Sequence, residues 1–148
     1  MLSKSQAKLF FLAGTVIFSS LFLALSYDTT VNRVDKQTHA ENITEAVIAG
    51  RIIWDENNCM GCHTLLGEGA YYAPELTKVV ERRGAGYIKA VLMSPTPWGE
   101  HTSGRKMVAY NMSAEDADNM VAFFTWIGEM DLNGFPAKPK YKVEKITE

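Results

Sequence analysis

Hydrophobic and polar positions divide the chain into three regimes. From Leu9 to Tyr27 the stretch LFFLAGTVIFSSLFLALSY runs for nineteen residues without a charge. Coiled at about 1.5 Å per residue it reaches roughly 28 Å, close to the hydrocarbon thickness of a bilayer. Residues 28–41 (DTTVNRVDKQTHAE) are polar and mixed in charge, as a linker is. From Asn42 onward, apolar residues recur at helical spacing. Val47, Gly50, Ile53 and Trp54 mark one helix, entered by an Asn42/Glu45 capping box and ending at Asn57-Asn58. Leu76–Arg83 reads as a short helix stopped at Gly84. Gly86–Met93 reads as another, with Tyr87, Ile88, Val91 and Leu92 on one side and Pro95 and Pro97 beyond its end. Residues 94–112 form a long loop. Ser113 then caps a last helix whose first turns carry Glu115, Asp116 and Asp118, and whose inner stripe is Ala117, Met120, Val121, Phe124 and Gly128. No strand pattern is present, so the expected fold class is all-α: four short helices on a single N-terminal transmembrane helix.

This pattern predicts a short N-terminus (1–8), an anchor (9–27), a linker (28–41), one folded domain (42–132) and a loose Pro- and Lys-containing tail (133–148). Lys4 and Lys8 precede the apolar run and Asp28 follows it. The positive-inside rule therefore keeps residues 1–8 in the cytoplasm and exports the domain. Ala24-Leu25-Ser26 would serve as a signal-peptidase site, but the run is longer than the ~7–15 residues of a signal core, which favours an uncleaved anchor in lipid. Ala13, Ile17, Ser20 and Ala24 share one helical face, a geometry suited to packing on another membrane helix. Lys plus Arg number 15 against 17 Asp plus Glu, and this balance, without a basic patch, excludes nucleic acid as a partner.

The candidate chemistry lies in Cys59-Met60-Gly61-Cys62-His63, which holds both cysteines of the chain. A structural zinc site needs about four ligands, and His39 and His101 stand at no ligand-like spacing. A thioredoxin-like pair belongs beside a βαβ unit, which is absent, and a plain disulfide leaves the adjacent imidazole without a task. Covalent haem c uses all three groups. Two thiols add to the two vinyls, and His63 reaches the iron from one side. An electron carrier also needs a second axial ligand, commonly methionine. Met107 is the favoured candidate because the long loop can lay it over the haem; Met112, placed to pack as a staple before Ser113, and His101 are the alternatives.

The region 42–130 resembles a mono-haem cytochrome c. More closely, the chain resembles the small membrane-anchored cytochrome c subunits of bacterial nitric oxide reductases. The likeness rests on one anchor before one C-x-x-C-H, on Leu65-Leu66-Gly67-Glu68-Gly69-Ala70-Tyr71 after it, and on Gly104-Arg105-Lys106-Met107 followed by Tyr110-Asn111. Val108 departs from the proline that many cytochromes c place after the ligand methionine. The resemblance implies a non-catalytic electron-transfer subunit in the bacterial inner membrane, with its haem domain in the periplasm. A periplasmic cytochrome c or cupredoxin would supply electrons. A large catalytic membrane subunit with haem b would receive them and reduce NO to N2O. It also implies that the Pro74 carbonyl accepts the His63 Nδ1–H, and that backbone carbonyls of Gly69 and Tyr71 help hold a calcium ion at the subunit junction. Gly67 to Tyr72, with glycines for close approach and tyrosines for buried area, reads as a docking loop. A free-standing anchored electron shuttle and a haem gas sensor or peroxidase-like enzyme with an open iron site are the competing readings.

Overall fold

Ser3 begins the first helix by accepting the Gln6 amide, while the Gln6 side chain accepts the Ser3 amide: a capping box of two reciprocal bonds. The computed structural model describes residues 3–99, 104–135 and 137. The chain divides into two units, Met1–Gln37 and Thr38–Glu148. Helix α1 spans Lys4–Asn32 and is long and apolar enough to cross a membrane. It outruns the apolar segment because polar side chains carry it on: Thr30 Oγ1 donates to the Ser26 carbonyl at 2.9 Å, and Asn32 Nδ2 to Asp28 at 2.8 Å. The segment expected to be a linker is thus partly helical, with a further short helix α2 at Val34–Thr38.

The second unit is built on α3 (Glu45–Glu56) and α6 (Ala114–Glu129). Thr44, not Asn42, caps α3, its side chain accepting from the Val47 amide. Asn42 instead lies in a 3-10 turn (Ala40–Asn42) and donates its side-chain amide to Glu129 at the far end of α6. The indole of Trp126 donates to the His39 carbonyl at 3.3 Å, so two bonds join the entry of this unit to its last helix. Gly50 lets α3 and α6 cross closely: a Cβ there would overlap the Asn119 carbonyl and the Phe123 Cβ. Trp54 is 1% exposed and meets Phe124 edge-on with ring centroids 5.7 Å apart.

Ser113 caps α6 as its sequence predicts, accepting from the Asp116 amide at 3.0 Å. The inner face is turned slightly from the expected stripe. Ala117, Met120, Phe123, Phe124 and Ile127 are buried, whereas Val121 and Gly128 are half-buried. Phe123 is turned in against α3, where it meets Trp54 with ring centroids 6.2 Å apart and lies against Gly50, and α4 (Val79–Arg83) and α5 (Ala85–Leu92) pack on α6 as well. Val79, Ile88 and Leu92 complete the core from these helices.

The expectation of no strand is corrected in one place. Thr64–Leu65 (β1) and Glu68–Gly69 (β2) pair antiparallel through the two-residue turn Leu66-Gly67. Both turn residues have positive φ, 55° and 86°, as a turn matched to strand twist demands. Leucine is a poor residue for that conformation. It is held there because its amide donates to Oγ1 of the fully buried Thr77 at 2.8 Å.

Candidate haem site

The attachment motif follows α3 directly. Asn57 ends that helix, Asn58 turns the chain with φ 49°, and Cys59–Gly61 form one 3-10 turn. Amide bonds from Cys62 and His63 to the Cys59 carbonyl, at 3.2 and 2.9 Å, fold the five residues tightly. Cys59 is buried and Cys62 exposed, and no disulfide joins them. Burial pushes the Cys59 thiol up to about 11.

His63 is buried, and its Nδ1 lies 2.7 Å from the Pro74 carbonyl oxygen. A carbonyl can only accept, so Nδ1 carries the proton and Nε2 keeps its lone pair for a metal. Burial holds the ring's pKa below its usual value, against a smaller upward pull from Pro74; both the tautomer and the neutral charge suit an iron ligand. The loop from the motif to Pro74 is stitched to the motif itself. Ala70 donates to the Met60 carbonyl, Ala73 to Cys62 and Leu76 to Thr64, at 2.8–3.0 Å. Gly69 pairs with Thr64 at φ 120°, and a Cβ there would overlap the His63 carbonyl oxygen. The close approach made by this glycine is therefore to the chain's own proximal backbone. Tyr71, by contrast, is 81% exposed.

These groups open on a cleft of about 980 Å³. Cys59, Cys62, His63 and Pro74 line it, as do Leu76, Val79, Ile88, Leu92 and Phe124, with Met107 on the loop after α5. That volume stands at the top of the ~300–1,000 Å³ range of cofactor pockets, and its apolar lining suits a flat macrocycle. Met107 is half-buried and is held by two backbone bonds with Trp98, at 2.9 and 3.0 Å. Trp98 in turn meets Tyr87 edge-on at 5.9 Å. Met112 is not among the lining residues; it packs on the core, and its amide donates to the Leu92 carbonyl at 3.0 Å. Met120 also lines the cleft, from the core face of α6. His101 lies outside the described residues.

Three residues of this site carry little signal in the sequence. Trp98 is one aromatic among prolines and glycine, yet it pairs with Met107. Thr77 anchors the turn. Arg105, inside the Gly-Arg-Lys-Met run, donates to the Tyr72 carbonyl at 2.9 Å. Tyr110 also faces the cleft, and burial keeps its phenol pKa raised, with both cysteines adding to the effect.

A helical shell around one deep cleft, with two thiols and an imidazole on its wall, defines a protein that holds covalent haem c. The sequence profile of the cytochrome c family matches residues 47–127, and the chain belongs to that family. The C subunit of nitric oxide reductase from Stutzerimonas stutzeri is 39% identical over 138 residues, covering 90% of this chain and 93% of that protein. The corresponding C subunits of Halomonas halodenitrificans and Paracoccus denitrificans are 37% and 31% identical over 93% and 91% of this chain. Within the cytochromes c, the chain is thus an electron-transfer protein of the family formed by the C subunits of nitric oxide reductase.

Proposed function

We propose that the chain carries electrons, one at a time, from a periplasmic cytochrome c or cupredoxin to haem b of a large catalytic membrane subunit that reduces NO to N2O. Cys59 and Cys62 would hold haem c by thioethers, and His63 and Met107 would bind its iron. Haem c so bound would supply a one-electron couple, and thioether ligation by Met107 would raise its potential. The observation that carries this reading is that His63, its Nδ1 engaged by Pro74, and the doubly held Met107 open on one cleft. The chain itself would perform no bond-breaking chemistry.

Helix α1 would remain as an anchor in the inner membrane, with the haem domain in the periplasm. The exposed Tyr71 would dock on the large subunit. Backbone carbonyls of Gly69 and Tyr71 would contribute to a calcium ion at that junction, where oxygen ligands alone suffice.

The test is made in membranes that contain the full chain. Detergent extraction should bring down a polytopic haem b protein with it, and NO should reoxidise the reduced haem c rapidly. A chain that extracts alone and is reoxidised only through a soluble protein is a free-standing shuttle. Chelation of calcium should weaken the association; an unchanged complex after chelation removes calcium from the proposal.

A further inference from the structure

One side-chain contact joins two loops that both line the cleft. Arg105 stands two residues before Met107. Its Nη1 donates to the carbonyl of Tyr72 at 2.9 Å, and its guanidinium lies 5.7 Å from the Tyr72 ring centroid. The Arg105 carbonyl is itself crowded by Gly99, whose φ is 93°; a Cβ there would come within 2.8 Å of it. Tyr72 belongs to a different loop, the one after the attachment motif. The next residue, Ala73, donates to the Cys62 carbonyl at 2.8 Å, and the one after, Pro74, accepts from His63.

We propose that Arg105 is a positioning residue for Met107: it clasps the loop that carries the methionine to the loop that orients His63, and so holds the two sides of the cleft at a fixed separation. The proposal rests on Met107 being the iron ligand. The Trp98 pair holds Met107 within its own loop, because residues 98 and 107 both lie between α5 and α6. The Arg105–Tyr72 contact joins that loop to the one after the attachment motif. A thioether is a neutral ligand, and an added ligand displaces it only when the loop swings open, so the local opening equilibrium sets the exchange rate. Arginine suits this place because one planar group makes the hydrogen bond and lies over the ring together; lysine keeps the charge and loses the plane.

The experiment uses the full chain with covalent haem in detergent. Imidazole is added to the ferric protein, and loss of the methionine–iron absorption band at the red edge of the spectrum is timed. Arg105→Ala should exchange on the order of five- to tenfold faster than the parent, the scale of losing the exposed bond and the stack to Tyr72. Arg105→Lys should fall between, and Lys78→Ala, which removes a surface cation that does not line the cleft, should match the parent. An Arg105→Ala rate within twofold of the parent overturns the clasp. If Arg105→Ala fails to retain haem, Arg105→Lys and Tyr72→Leu, which removes the ring and keeps the carbonyl, decide the matter: parental rates in both overturn it. If Met107→Ala retains the band, the ligand assignment has failed, a result separate from any Arg105 rate.

Discussion

The imidazole of His63 is oriented by a carbonyl eleven residues further along, Nδ1 standing 2.7 Å from the Pro74 oxygen. This bond fixes the tautomer, and burial keeps the ring neutral. Met107 lines the same cleft, held by its pair with Trp98. With Met107 as the proposed second ligand, Met107→Ala should abolish the red-edge band of the ferric protein and lower the potential, because a thioether ligand would raise it. Optical redox titration checks both. A low-spin spectrum with unchanged potential would transfer the ligand role elsewhere.

Gly69 and Tyr71 should behave oppositely although they are two residues apart. A side chain at Gly69 is strained at φ 120° and overlaps the His63 carbonyl, so Gly69→Ala should cost about 1–3 kcal/mol and disturb the haem spectrum. Tyr71→Ala should leave stability within about 0.5 kcal/mol, since Tyr71 is 81% exposed, and should weaken binding to the large subunit. Thermal melts with pull-down from membranes separate the two effects. A Gly69 variant with normal stability and spectrum would contradict the packing described.

Gly50 sets the approach of α3 to α6. Gly50→Ala places a methyl against Asn119 and Phe123 and should destabilise by about 1–3 kcal/mol or more, as overpacking does. Gly14→Ala, with nothing within 4 Å of its added Cβ, is the matching control. Chemical denaturation of the two variants should show the difference as a lower midpoint for Gly50→Ala alone.

Thr77 is fully buried, and its hydroxyl accepts the Leu66 amide at 2.8 Å. Thr77→Val keeps the shape and leaves that donor without its acceptor, at a cost of about 1–3 kcal/mol. Hydrogen exchange at Leu66 should accelerate. Unchanged protection there would mean that the turn is held by the β1–β2 pairing alone.

Residues 9–27 should be present in the mature protein. The intact mass of the membrane-extracted chain, haem included, decides this directly. The haem should also survive acid-acetone extraction, as thioether linkage requires. A mass that begins after Ser26 would show that the segment is a signal, and loss of haem into the organic layer would remove the covalent assignment.

What the sequence determined by itself is periodic or contiguous. The uncharged run from Leu9, the buried positions Val47, Gly50 and Trp54, the Ser113 cap and the five-residue attachment motif are all local patterns, and α3, α6 and the fold class follow from them. Cap choice was less legible: the Asn42/Glu45 spacing points to Asn42, whereas Thr44 caps α3 and Asn42 bonds to Glu129, eighty-seven residues away. The phase of the α6 face was decided by contacts across the helix pair, where Phe123 meets Trp54 and Gly50 of α3. Tertiary structure alone closed the cleft. The Trp98–Met107 pair, the bond from Arg105 to Tyr72 and the overlap that reserves position 69 for glycine each join segments that no short-range period relates. Helices announce themselves because their bonds lie within four residues. A loop's partners are set by whichever wall the packed helices bring within about 3 Å of it.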